Sequence, residues 1–184
     1  MGLAGMVLIV ISWLALGRAE DAADWRQSLG LGKETVSHLH FYFHEISTDD
    51  NPTVVKVGGT QKTDPSTLFG TVWMEDSPLR EGPENTSALV GRAQGLTGAD
   101  NQSEFGLIMA LAFGFTQGKY NGSSLSIFGR KGAADPVQQV PVVGGTGLFR
   151  MARGFAMVRT FLLSPDTGLA IIEYNVTVVH YESN

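Results

Sequence analysis

From Thr35 onward the chain alternates with a period of two. In the stretch TVSHLHFYFHEIS, Leu39, Phe41, Phe43 and Glu45 fall on one side of an extended strand, and His38, His40, Tyr42 and His44 on the other. Eight more strand-like runs follow at 53–57, 68–75, 88–96, 106–117, 123–128, 137–143, 149–163 and 170–180. Turn-forming residues separate them: Asn51-Pro52, Ser77-Pro78, Glu81-Gly82-Pro83, Asn121-Gly122 and the cluster from Ser164 to Gly168. No stripe at 3.6-residue spacing interrupts this pattern. Many strands joined by short loops predict an antiparallel sheet. The length and the lack of helices predict an all-β fold in which that sheet closes into a barrel, leaving no open edge.

The first 19 residues read differently. An apolar run from Met6 to Leu16 is too short to cross a bilayer and ends in small residues, with Gly17 and Ala19 at the −3 and −1 positions of a cleavage site. The division expected is a secretory signal peptide over 1–19, a loose polar arm over 20–34 and one barrel domain over 35–184, with no membrane association once the peptide is removed. Secretion makes four Asn-X-Ser/Thr sites candidates for glycosylation: Asn85, Asn101, Asn121 and Asn175, with Asn121 in an Asn-Gly turn the most accessible. The chain has no cysteine, so a secreted domain of this sequence is held by its core alone. A net charge of −5, with no basic patch among aromatics, excludes a nucleic-acid binder.

The stretch VPVVGGTGLFRMARGFAMV raises the question of a phosphate-cradling loop. A dinucleotide loop needs a third glycine where this chain has Arg150, and a helix after it, so Gly145 and Gly147 read as a turn between strands. After the turn, Met151, Arg153, Phe155 and Met157 share one side, and Arg150, Ala152, Gly154 and Ala156 the other. The large apolar side reads as inward. Arg153 then needs a carboxylate partner or a ligand, because an unpaired buried charge is costly. Glu45 closes the Leu39/Phe41/Phe43 face and is both a candidate partner and, among apolar neighbours, a candidate acid. A purely structural ion pair is the competing reading, and Arg92 is a third polar candidate. His38 and His44 lie about 20 Å apart along a strand, too far to share an ion, so no metal is expected. The His40/Tyr42/His44 face reads instead as a contact between subunits. Phe113 and Phe115, with Leu107, Met109 and Leu111, read as core, or as the wall of a cavity for an aromatic ligand.

Six blocks in order, HLHFYFHEI, LFGTVWMEDSPLREGPE, LVGRAQGL, FTQGKYNGSSLSIFGR, PVVGGTGLFRMARGFA and EYNVTVVHY, resemble those of the plant dirigent proteins over the whole chain from His38 to Tyr181. The resemblance implies an eight-stranded antiparallel barrel similar to allene oxide cyclases, secreted to the apoplast as a trimer or, alternatively, a dimer, without a cofactor. It implies a guide for coupling phenoxy radicals of monolignols such as coniferyl alcohol into optically active lignans, an external laccase or peroxidase supplying the radicals. Two alternatives come with it: a pterocarpan-forming dehydratase working through a quinone methide, and a cell-wall protein that only binds phenolics. Carried over by motif, Arg153 is the arginine of A-R-G, and Glu45 replaces the aspartate of F-H-D. Leu148 stands where pinoresinol-forming members have an aspartate, and Leu96, Thr97 and Gly98 stand where they have tyrosine. The catalytic candidates are therefore Glu45 and Arg153, with Phe41, Phe43, Arg92, Phe113, Phe115, Met151, Phe155 and Tyr174 as the expected substrate-binding set.

Overall fold

The computed structural model describes residues 27–59, 64–132 and 136–183. The expected signal peptide, 1–19, and residues 20–26 of the expected arm lie outside them, and the end of that arm, from Leu31, is strand rather than loose. Nine strands follow in chain order: β1 Leu31–Ile46, β2 Val54–Gly58, β3 Val72–Arg80, β4 Leu89–Ala99, β5 Gly106–Phe115, β6 Ser124–Gly132, β7 Val137–Thr146, β8 Arg153–Ser164 and β9 Leu169–Ser183. They pair in the order β1-β9-β8-β7-β6-β5-β4-β3-β2, and β1 also pairs with β3, at Tyr42↔Arg80 and Phe43↔Leu79. That second pairing closes eight antiparallel strands into a barrel, with β2 appended.

β1 and β2 thus share one edge of β3. The later half of β3 takes β1, and its first half takes β2, with Val54 opposite Glu75. Thr53 ties the junction together. Its backbone N–H donates to the Ile46 carbonyl, and its hydroxyl accepts from the Ile46 N–H at 2.9 Å. Its carbonyl accepts from the Asp76 N–H, and Ser77 Oγ donates to its hydroxyl at 2.7 Å. Glu45 and Glu75 are each one residue from this knot, on the strands it joins.

Two expectations about boundaries change. Ser77 and Pro78 lie inside β3 rather than in a turn; Pro78 lacks an N–H, yet strand β3 continues through it to Arg80. The run expected from residue 149 begins as a strand only at Arg153, because Gly147–Phe149 form a 3-10 turn and Met151 adopts a left-handed backbone, φ +60°. Gly145 and Gly147 are the turn glycines. A Cβ on Gly147 would lie 2.6 Å from Ser123 Oγ, and its φ of +61° suits glycine.

The two faces of β8 alternate as expected, but the inward one is the opposite of the one expected. Ala152, Ala156 and Val158 are buried, whereas Met151, Arg153 and Phe155 are exposed on the outside. The inward face of β8 is built of small residues because Phe41, Phe113, Phe115, Phe149 and Tyr174 already occupy the interior opposite it. Large apolar residues are often found outside, so size alone did not identify the buried face.

Candidate functional site

The inward rows of β1, β3, β4, β5, β6, β8 and β9, with Val54 of β2 and Phe105, enclose a cavity of about 270 Å³. Its walls are largely apolar, including Phe43, Trp73, Met109, Leu163 and Tyr174. Five polar residues break that lining: Glu45, Glu75, Thr97, Lys131 and Thr160.

Glu75 is the deeper acid, only 4% exposed. Thr97, two strands' width from β2 and opposite Trp73 in the β3–β4 register, donates its hydroxyl to Glu75 Oε1 at 2.6 Å. Oε2 has no hydrogen-bond partner among the described residues. Burial raises the Glu75 pKa, and the Thr97 bond pulls it back in part. Glu45 is half-buried beside it. Burial and then the Glu75 charge push its carboxyl up to about 8, with Lys131 opposing. Glu45 therefore favours the protonated form at a pH where an exposed glutamate is ionised. The Tyr174 phenol is raised as well, by burial first and then by the two carboxyls, so it stays a hydrogen-bond donor.

This chemistry sits in a fold with known relatives. A family model described as dirigent-like protein matches residues 36–179, and dirigent protein 23 of Arabidopsis thaliana is 44% identical over 177 residues, 95% of both chains. The chain belongs to the dirigent family. Pterocarpan synthase 1 of Glycyrrhiza echinata is 44% identical over 155 residues, 83% of this chain and 82% of its own. The solved pterocarpan synthase dirigent protein GePTS1 superposes with a TM-score of 0.78 at 42% identity, over 83% of this chain and 88% of that one.

Within this dirigent barrel the residues singled out from the sequence separate into three groups. Glu45, Phe43 and Tyr174 line the cavity. Phe41, Phe113 and Phe115 are buried in the core beyond it, packed ring against ring: Phe41 lies 5.5 Å from Phe113 and 6.0 Å from Phe115. Arg153, Met151 and Phe155 lie outside, and Arg92 is bound on the outer surface to Asp76, Nε to Oδ1 at 2.5 Å. The expected Glu45–Arg153 pairing across the interior is thus replaced by Glu45 with Glu75 and Lys131. An arginine on the outer face keeps its hydration, which is the cheaper arrangement.

The outer rings of β1 make contacts within the chain. His44 is buried with Nε2 3.2 Å from the Gly82 carbonyl, Tyr42 packs edge-on against Phe161, and His40 Nε2 lies 2.9 Å from Glu173 Oε1. Of the four sequons, Asn85 and Asn121 are exposed in turns, and Asn175 is exposed on the outer face of β9. Asn101 is occupied locally, its amide donating to Glu104 and its Oδ1 accepting from the Ser103 N–H.

Glu75, Thr97, Trp73 and Lys131 were not foreseen. In VWMEDSPLR the inward set is Trp73, Glu75, Ser77 and Leu79, while Met74 faces out, 46% exposed. Polarity thus points the wrong way at Met74 and Glu75. Lys131 lay past the expected end of its strand at 128, but β6 runs on to Gly132. Strict period-two counting from Leu125 and Ile127 would have placed it inward.

Proposed function

We propose that this dirigent barrel is an acid catalyst that removes water from a phenolic benzylic alcohol of the isoflavanol class and closes a ring through a quinone methide. The observation that carries the reading is a half-buried carboxyl, Glu45, kept protonated inside an aromatic-walled cavity by burial and by a second acid. Glu45 gives its proton to the leaving hydroxyl; the C–O bond breaks and its electron pair departs with water. The conjugated phenol supplies the electrons, releasing its proton to solvent, and becomes the methide carbonyl. A second phenol oxygen then forms the new C–O bond to the methide carbon. Its proton passes to the Glu45 carboxylate, and the methide oxygen regains a proton as the ring becomes aromatic again. One water is lost overall and Glu45 returns to its starting state. Glu75, whose free oxygen is enclosed, is a positioning residue that keeps Glu45 protonated. General-acid catalysis of this kind supplies roughly 10²–10⁴-fold.

The competing reading, stereoselective coupling of monolignol phenoxy radicals made by a laccase or peroxidase, would use the same cavity for orientation alone. Secretion after cleavage near Ala19, glycans on Asn85 or Asn121, and assembly as a trimer belong to the same proposal as expectations for this family. The test is incubation of the purified chain with a 2′-hydroxyisoflavanol and no oxidase. Ring-closed product is expected, and Glu45→Gln should reduce its rate by about 10²-fold or more. An inert isoflavanol, together with enantiomerically enriched lignan only when laccase and coniferyl alcohol are added, would replace the dehydratase with a coupling guide.

A further inference from the structure

The reaction just described leaves one inward charge without a role. Lys131 extends the inward row of β6 beyond Leu125, Ile127 and Gly129, and its side chain lines the cavity. The register locates it. Glu75 stands opposite Gly95, Gly95 opposite Leu111, and Leu111 opposite Ile127. Lys131 is four residues farther along β6 than that row, about 13 Å of extended strand. The ammonium and the buried acid therefore stand at different levels of the cavity wall, with the row of Trp73 and Met109 between them.

Among the described residues, its contacts leave most of the cation unsatisfied. Nζ makes a long contact of 3.4 Å to Thr160 Oγ1, which uses one of three N–H donors. Among the described residues no carboxylate forms an ion pair with it. Burial lowers its pKa, and Glu45 is the group that opposes that shift. Yet Glu45 itself favours the neutral form, and Tyr174 stays a neutral phenol. A partly desolvated ammonium facing a neutral acid is best compensated by an anionic oxygen brought in from outside.

We propose that Lys131 is the anion-recognising group of the cavity and binds the phenolate oxygen of a substrate whose reacting carbon meets Glu45. The inference rests on the phenolic reading above and names its substrate class: phenols whose conjugated hydroxyl is free. Substrates with that oxygen methylated are excluded. Holding the oxygen as phenolate also favours electron release toward the leaving group.

The test is an equilibrium titration that requires no turnover. Absorbance spectra of 4-nitrophenol are recorded against pH with the full chain, and affinities are measured for 4-nitrophenol, 4-nitroanisole and 4-nitrobenzoate. The bound phenol should ionise at lower pH than the free one. Lys131→Met should abolish that shift and weaken 4-nitrophenol binding by about tenfold or more, the worth of a hydrogen bond to a charged group. Lys131→Arg should retain the shift, and 4-nitroanisole should bind wild type and Lys131→Met alike. A shift that persists in Lys131→Met, or none in wild type, overturns the assignment. So does tighter, Lys131-dependent binding of 4-nitrobenzoate, which would make the site one for carboxylates. A chain that shows the Lys131-dependent shift but leaves the isoflavanol unchanged keeps the phenolate site and loses the dehydration reading.

Discussion

The two ends of the barrel interior are built from the same strands by the same alternation, and they do opposite things. At one end Phe41, Phe113, Phe115, Phe149, Leu125 and Val178 interlock with at most 5% of any side chain exposed. At the other, Glu45, Glu75, Thr97 and Lys131 interrupt the apolar rows and a cavity remains. Phe43 and Tyr174 belong to both: Tyr174 stacks edge-on with Phe113 at 5.1 Å and lines the cavity above it. The division follows the closure of the barrel. Where β3 pairs with β1 the ring of strands is tight; where β3 passes to β2 the inward rows of β1 and β3 carry the carboxyls of Glu45 and Glu75. A packed floor thus fixes the walls of a site that is itself incompletely packed and polar.

The largest effect expected is on the floor. Phe113 is fully buried and touches the rings of Phe41, Phe43 and Tyr174. Phe113→Ala should destabilise the chain by about 3–5 kcal/mol, because the cavity it leaves is hemmed in by rings that cannot close over it. Chemical denaturation measures this. A loss comparable to that of a surface substitution would mean that the two ends do not differ in packing.

At the cavity end the same measurement should respond to pH. Glu45 has its folded pKa raised to about 8 from 4.5, and Glu75 is raised too. Between those values the unfolded chain has released protons that the folded chain still holds, so folding stability should fall as pH rises from about 4.5 to about 8. Below that window both states are protonated and the penalty is absent. Glu45→Gln should flatten the profile, whereas a slope unchanged in that variant would remove Glu45 as its source. In turnover, Glu75→Gln should bring the alkaline limb to lower pH, because it removes the charge that helps to keep Glu45 protonated; a limb that stays in place would deny Glu75 that role.

The smallest effect belongs outside both regions. The Arg92–Asp76 pair is 41% and 55% exposed at its side chains, and exposed pairs contribute about 0–1 kcal/mol. Arg92→Ala should shift stability by no more than that and leave turnover unchanged, as read by denaturation and by the isoflavanol assay. A large loss of activity would bring Arg92 back as a site residue.

What the sequence determined by itself was everything that depends on period. Alternation gave the strands, the glycine turn at Gly145–Gly147, and the inward row of β1 ending in Glu45; the six ordered blocks from His38 to Tyr181 gave the family and its barrel. These are local properties, since a strand fixes which side chains share a face whatever lies beside it. Which of the two faces turns inward is not local. On β8 the inward face is the small one, because aromatic rings from other strands had already filled the volume, and Arg153 is therefore outside. On β3 polarity misleads, and Glu75 turns inward because Thr97 on β4 can donate to it and because both edges of β3 are paired. The site owes its second acid and its lysine to strands distant in sequence, and only closure of the barrel brings them to one cavity.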